Sequence, residues 1–76
     1  MVVLESKDIR NPVREVNEAF RRERSVYLNY QWYPESEIER ARVVGARTRK
    51  GALQFHALSD GKWIGPFHWY NLEVGG

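Results

Sequence analysis

Residues 38–58 carry the pattern that restricts the fold most, because they predict two strands joined by a short basic turn. Apolar residues recur along both flanks, and Arg47, Arg49 and Lys50 stand at the bend. Gly51 follows them, and glycine readily takes the positive φ angle that a tight hairpin requires. We therefore predict a β-hairpin whose turn concentrates positive charge.

Alternating apolar and polar residues predict a strand before this hairpin, the first strand of the hairpin itself, and a strand after it. In residues 25–32 the alternation is strict, and one side carries Val26, Leu28, Tyr30 and Trp32. In residues 38–46 it slips between Ala41 and Val44, which is typical of a β-bulge. A further strand begins at Trp63 and meets Pro66. Because proline cannot donate to a β-ladder, we expect a kink or a sheet edge there.

A helix is predicted over residues 11–23, since Asn11 is a good N-cap and Pro12 suits the first helical position. The apolar residues that recur at helical spacing are Val13, Val16, Ala19 and Phe20. Glu18 and Arg22 are spaced for an ion pair one turn apart. The pattern thus predicts an amphipathic helix that packs on the strands.

Together these elements predict a mostly β fold: an N-terminal helix followed by a strongly bent antiparallel sheet of four to five strands. Bending into a small barrel would bury both the aromatic residues and the helix, and it would protect the sheet edges. We expect one domain over residues 1–76, with an arm at 1–10, the helix at 11–23 and the barrel strands at 25–74. Within the arm, residues 2–4 suit either a short edge strand or a cap on the barrel.

Composition narrows the functional classes. The chain has no cysteine, which excludes disulfides and thiolate metal sites. His56 and His68 are its two histidines, without the spacing of a metal site, so we expect neither a metal nor a cofactor. No nucleophile or phosphate-binding loop motif occurs, and we expect no enzymatic activity. No stretch has the apolar length of a membrane span, and we expect a cytoplasmic protein.

Arginine supplies nine of the twelve basic residues, although the net charge is only +2. Five cations fall within eleven residues: Arg40, Arg42, Arg47, Arg49 and Lys50. Such a cluster is suited to neutralising phosphates. The rings that we expect to stack on bases are Tyr27, Tyr33 and Trp63. The hypothesis is a nucleic-acid or nucleotide interface, and the alternative is a hairpin whose charges are simply solvated.

The aromatic residues support a second hypothesis. Core positions are predicted for Phe20, Tyr30, Trp32 and Phe55. The C-terminal segment holds more large rings than one strand face can bury, and its candidate interface residues are Trp63, Phe67, Trp69 and Tyr70. An exposed aromatic patch of this kind favours a protein partner or homo-oligomer formation.

Three stretches resemble the WYL domain of bacterial and phage regulators: residues 19–30, 41–58 and 67–72. They match that family's basic turn and strand, its Arg-Val-Val strand with glycine turn, and its barrel-closing segment. The printed sequence contains neither the full Trp-Tyr-Leu triplet, of which Leu53 remains, nor a helix-turn-helix domain. The resemblance implies an Sm-like, Src-homology-3-like barrel that senses a nucleic acid or nucleotide in transcription regulation.

Overall fold

An antiparallel sheet of six strands carries one α-helix in residues 1–75, the part of the chain that the computed structural model describes. The strands are β1 (Val2–Glu5), β2 (Val26–Gln31), β3 (Glu39–Arg49), β4 (Ala52–Ala57), β5 (Trp63–Ile64) and β6 (Trp69–Val74), and helix α1 spans Pro12–Arg21. A short 3₁₀ helix, Ser6–Asp8, follows β1. The strand order is β1-β6-β2-β3-β4-β5, so β1 and β5 form the two edges.

This architecture confirms the mostly β fold with an antiparallel sheet, whereas the predicted number of strands was wrong and the predicted closure into a barrel is not confirmed. The sheet has six strands because the predicted arm contains β1, in which Leu4 pairs with Leu72 of β6. The sheet is also open, since β1 and β5 do not pair with each other within residues 1–75. Strand β5 stops after two residues, just before Gly65 and Pro66, as expected for an edge interrupted by proline. The predicted domain ran to Gly76, which lies outside the described residues.

Helix α1 begins as predicted and ends two residues early. The Asn11 side chain accepts a hydrogen bond from the Arg14 N–H at 3.1 Å, which confirms the N-cap. At the other end, the Arg24 N–H donates to the Ala19 carbonyl at 2.9 Å. Glu23 adopts a φ of 57° there. This is a Schellman motif, which stops the helix at Arg21 by turning the chain into the left-handed region.

Replacing Glu23 with glycine is expected to stabilise the protein. The left-handed conformation is unfavourable for a side chain with a Cβ atom, whereas glycine adopts it readily. Allowing for the greater entropy of glycine in the unfolded chain, we expect the free energy of unfolding to rise by about 0.5–1 kcal/mol. Urea denaturation followed by tryptophan fluorescence measures it. A Glu23→Ala variant controls for loss of the carboxylate, and an equal gain in both variants would contradict the conformational explanation.

Helix α1 buries a narrower face than its sequence predicts. Val16 and Ala19 are buried, but Phe20 is 54% exposed, so its predicted core position was wrong. The helix packs mainly against β3, and this contact covers only part of the predicted stripe.

Glu18 does not form the predicted ion pair with Arg22. Instead, Arg14 Nε donates to Glu18 Oε1 at 3.0 Å. This hydrogen bond is the main cause that lowers the pKa of Glu18.

The core lies on the sheet face that α1 covers. Its buried residues are Val16, Ala19, Val26, Leu28, Tyr30, Val43, Ala46, Phe55 and Leu72. An aromatic cluster extends it: the Phe67 ring lies 4.6 Å from Tyr30, 4.7 Å from Trp32 and 6.2 Å from Phe55, between centroids. Tyr70 lies 5.4 Å from Phe55. The structural roles predicted for Tyr30, Trp32 and Phe55 are therefore confirmed.

Raising the pH above about 10 is expected to destabilise the fold. Burial raises the pKa of Tyr30 and that of Tyr70 above the ordinary value. The folded protein therefore keeps protons that the unfolded chain releases, so stability is complete below the unfolded pKa and is lost as the pH rises through the folded one. Urea denaturation at about pH 8 and about pH 11 measures the loss. A Tyr30→Phe/Tyr70→Phe variant should lose less over this interval, and an equal loss would contradict the assignment.

Candidate functional site

A bulge in β3 places four arginines on one face of the sheet. In a regular strand, Arg40 and Arg42 would point to the face opposite that of Arg47 and Arg49, because side chains alternate. The register against β4 shifts after Val43, which inserts one residue and reverses the alternation. The slip predicted from the sequence is thus confirmed. We call the face that carries the four arginines, opposite the core, the outer face.

Tyr27 of β2 lies on the outer face beside two of these arginines. The guanidinium carbon of Arg40 is 4.4 Å from the centroid of the Tyr27 ring, within the range of a cation–π interaction. Arg42 is the direct cross-strand neighbour of Tyr27. Its guanidinium has no hydrogen-bond or ion-pair partner among residues 1–75. The structure therefore brings Tyr27, Arg40 and Arg42 together.

A polar network borders this group on the β2 and β6 strands. Asn29 Nδ2 donates to Asn71 Oδ1 at 2.8 Å and to Glu73 Oε2 at 2.6 Å. Glu73 Oε1 lies 3.5 Å from Arg40 Nη2. Glu39 is the sequence neighbour of Arg40, but its side chain belongs to the opposite face. Glu73 therefore reduces the positive potential at Arg40, and the other outer-face arginines are the more available cations.

Trp63 of β5 forms the second arginine–aromatic pair. The guanidinium carbon of Arg47 is 4.1 Å from the centroid of its ring, and Arg47 Nε donates to Gln54 Oε1 at 2.9 Å. The His56 ring stacks on Trp63 with centroids 4.7 Å apart and planes at 13°. His56 Nε2 in turn lies 3.1 Å from the Gly61 carbonyl. These contacts hold the Arg47 guanidinium in one place on the outer face.

The hairpin tip exposes Arg49, the last of the four arginines, and adds a fifth cation, Lys50. Lys50 and Gly51 occupy the turn with φ angles of 52° and 79°. Both positive values fit a two-residue turn that matches the twist of the strands. A positive φ is common for glycine and unusual for lysine. The predicted basic turn is therefore present, and a lysine occupies a position that asparagine or glycine would adopt with less strain.

Tyr33 is a predicted site residue that the structure does not place with the hairpin cations. It lies in the loop between β2 and β3, is 71% exposed, and its N–H donates to Ser36 Oγ at 3.1 Å. This loop precedes Glu39, the first residue of β3, whereas the basic turn follows Arg49, its last residue. A strand of 11 residues spans about 35 Å. Tyr33 therefore cannot share a contact with Lys50.

The four aromatic residues of the alternative protein interface do not share one surface. Phe67 and Tyr70 pack against Phe55 on the core side. Trp69 lies opposite Gln31 on the outer face, as does Trp63 at the far edge. Strands β2, β3 and β4 separate these two tryptophans in the sheet. The structure therefore does not bring these four residues together in a single exposed patch.

Sequence reasoning missed the polar residues that support the arginines, namely Asn29, Gln54, Asn71 and Glu73. The alternation in β2 and β4 places Asn29 and Gln54 on the outer face, and this signal was available. Their partners depend on long-range strand pairing. Asn29 meets Asn71, 42 residues later, only because β2 and β6 are neighbours in the sheet.

Comparisons with known proteins return no relative: no family model matches the chain, and neither does any curated protein or solved structure. Among residues 1–75, no three side chains of histidine, aspartate or glutamate lie close enough to hold a metal ion together. No helix in that part of the chain has the length and apolar character needed to cross a membrane.

Proposed function

We propose that the outer face binds single-stranded nucleic acid or a nucleotide, without transforming it, as the sensing part of a regulatory protein. The observation that carries the proposal is the placement of two arginine–aromatic pairs, Arg40 with Tyr27 and Arg47 with Trp63, on one face along β3. The bulge in β3 produces this placement, since it aligns both pairs with Arg42 and Arg49.

An arginine that lies over an aromatic ring loses part of its conformational freedom before any ligand arrives. Its free N–H groups remain available for phosphate oxygens, and the exposed side of a guanidinium plane can stack on a base. Arg47 is held in this way by Trp63 and Gln54. Tyr27 and Trp63, two of the three rings predicted to stack on bases, thus act mainly as supports for arginines. Binding then depends on positioned cations more than on free aromatic faces.

A single strand fits this surface better than a duplex. The cations follow β3 from Arg40 to Lys50, over about 30 Å, and track the backbone of an extended strand. Guanidinium planes stack only on bases that are not already stacked on both sides, which single strands provide. The resemblance to WYL domains implies a nucleic acid or nucleotide as the ligand, without a preference between single strand and duplex. Under this proposal, the open sheet is a form of the Sm-like barrel in which β1 and β5 do not meet.

Fluorescence anisotropy with labelled 12-nucleotide RNA, single-stranded DNA and duplex DNA tests the proposal, at roughly 50 and 200 mM salt. We expect the single strands to bind more tightly than the duplex, and affinity to fall with salt because phosphate contacts release counterions. Stronger binding of the duplex would contradict the single-strand preference. Absence of binding to all three probes by the folded protein would overturn the proposal.

A Lys50→Asn substitution is expected to raise the free energy of unfolding and, at the same time, to remove one phosphate contact. Asparagine before glycine is favoured in this turn, so the free energy of unfolding should rise by about 0.5–1 kcal/mol. Loss of one phosphate contact should lower the slope of log affinity against log salt by about 0.7 for a single strand. Urea denaturation and anisotropy measure the two effects. Lys62→Asn removes the same charge away from the turn, and an identical change in salt slope there would contradict a role for the hairpin tip.

A further inference from the structure

Strand β3 has an open edge on its second half. Its first half, Glu39–Val43, pairs with β2, and its residues from Gly45 to Arg49 pair with β4. Beyond Val43, therefore, no strand of residues 1–75 lies on the β2 side of β3. The hairpin that carries the basic turn extends past β2 with one backbone edge uncovered.

Asn17 of α1 occupies the beginning of this edge. Its Nδ2 donates to the Ala46 carbonyl at 3.3 Å, and its Oδ1 accepts from the Ala46 N–H at 3.2 Å. A side-chain amide that pairs with both backbone groups of one residue takes the place of a peptide unit from a neighbouring strand. The edge is therefore oriented for strand pairing, and Asn17 satisfies only its first position.

Thr48 is the next residue whose backbone points to the open edge. Backbone N–H and C=O groups alternate sides along an antiparallel strand, so Thr48 presents them in the same direction as Ala46. Thr48 is exposed, and its backbone makes no hydrogen bond on that side within residues 1–75. One donor and one acceptor are thus available at a fixed spacing.

We propose that this edge binds an extended acidic peptide of a partner protein, which adds as a strand beside Thr48. The flanking side chains select the charge: Arg47 and Arg49 precede and follow Thr48 on the outer face, and their neighbours on an added strand would be carboxylates. Opposite charges across strands are stabilising, and backbone pairing supplies the remaining affinity. Nucleic acid has no peptide backbone with which to continue the ladder, so the edge recognises a peptide.

The residues between the acids are expected to be apolar. They would point to the face of Thr48, on the side bordered by α1. Phe20 lies three residues after Asn17 on that helix and is 54% exposed. The ligand class is therefore an extended segment in which acidic and apolar residues alternate. The peptide site shares Arg47 and Arg49 with the proposed nucleic-acid interface, but the backbone N–H and C=O of Thr48 belong to the peptide site alone, so the two proposals can be tested separately.

A labelled heptapeptide of alternating glutamate and valine is the probe, and anisotropy is the readout. The decisive control is the same peptide with N-methylated valines, which keeps every charge and loses backbone donors. Removing those hydrogen bonds should lower affinity at least about tenfold. Equal affinity for both peptides would show attraction by charge alone and overturn the proposal, and so would failure of the first peptide to bind.

The Thr48→Pro substitution tests the same edge by a change in the protein instead of the peptide. Proline removes an N–H that β4 does not use, and edge positions tolerate it. The variant should lose peptide affinity by about tenfold and retain affinity for the nucleic-acid probes, so failure of the two proposals is distinguishable. If it does not fold by circular dichroism, the N-methylated peptide decides alone. Self-association that sedimentation detects and that Thr48→Pro abolishes would overturn the choice of partner in favour of a second copy.

Discussion

Replacing Phe55 with alanine is expected to remove about 3–5 kcal/mol from the free energy of unfolding. Phe55 is fully buried, with 0% of its surface exposed, and it contacts the rings of Phe67 and Tyr70. Its truncation therefore removes apolar contacts and leaves a cavity between the sheet and the aromatic cluster. A domain of 76 residues has a total stability of roughly 4–11 kcal/mol, so the variant should be close to unfolding. Urea denaturation followed by tryptophan fluorescence measures the loss.

Phe20→Ala is the matched control, since it makes the same chemical change at a ring that is 54% exposed. We expect a change within about 0.5 kcal/mol, because little apolar surface is lost and alanine favours the helix. Comparable losses in the Phe20 and Phe55 variants would contradict the assignment of Phe55 to the core and Phe20 to the surface.

Reversing the charge of Arg47 and Arg49 together is expected to weaken nucleic-acid binding by about 10- to 100-fold at roughly 50 mM salt. The substitutions Arg47→Glu and Arg49→Glu remove two phosphate contacts and place two carboxylates beside the ligand backbone. The slope of log affinity against log salt should become shallower by about 1.4, or about 0.7 for each lost contact on a single strand. Anisotropy with the 12-nucleotide RNA at several salt concentrations measures both quantities.

Arg21→Glu/Arg24→Glu is the control for overall charge. Both residues are exposed, Arg21 as the last residue of α1 and Arg24 three residues beyond it; they lie away from the outer face, and the net charge changes by the same amount. Urea denaturation must accompany it, because a cation lost from the C-terminal turn of a helix costs about 0.3–1 kcal/mol. If both double variants lose affinity equally, the binding is a property of net charge, and the outer face is not the site.

Local sequence patterns predicted much of the scaffold correctly. The Asn11 cap, the strict alternation of β2 and the turn at Gly51 depend on neighbours within a few residues, so their physical causes are visible in the sequence. The slip in the alternation of β3 was also visible in the sequence. That it places the four arginines on one face could be seen only from the register of β3 against β4. Phe20 shows the limit of such patterns: helical spacing identifies an apolar stripe, but not how much of it the sheet covers.

Short-range sterics and hydrophobic alternation are enough to predict strands β2, β3 and β4, the turn at Gly51 and the cations around it from the sequence. The residues that support the arginines, and the part of the β3 backbone that remains unpaired, are visible only in the folded structure. Arg40 meets Glu73, 33 residues away, and Asn17 meets Ala46 over 29 residues. Such contacts depend on the strand order and on where β2 stops beside β3, and no local pattern specifies either.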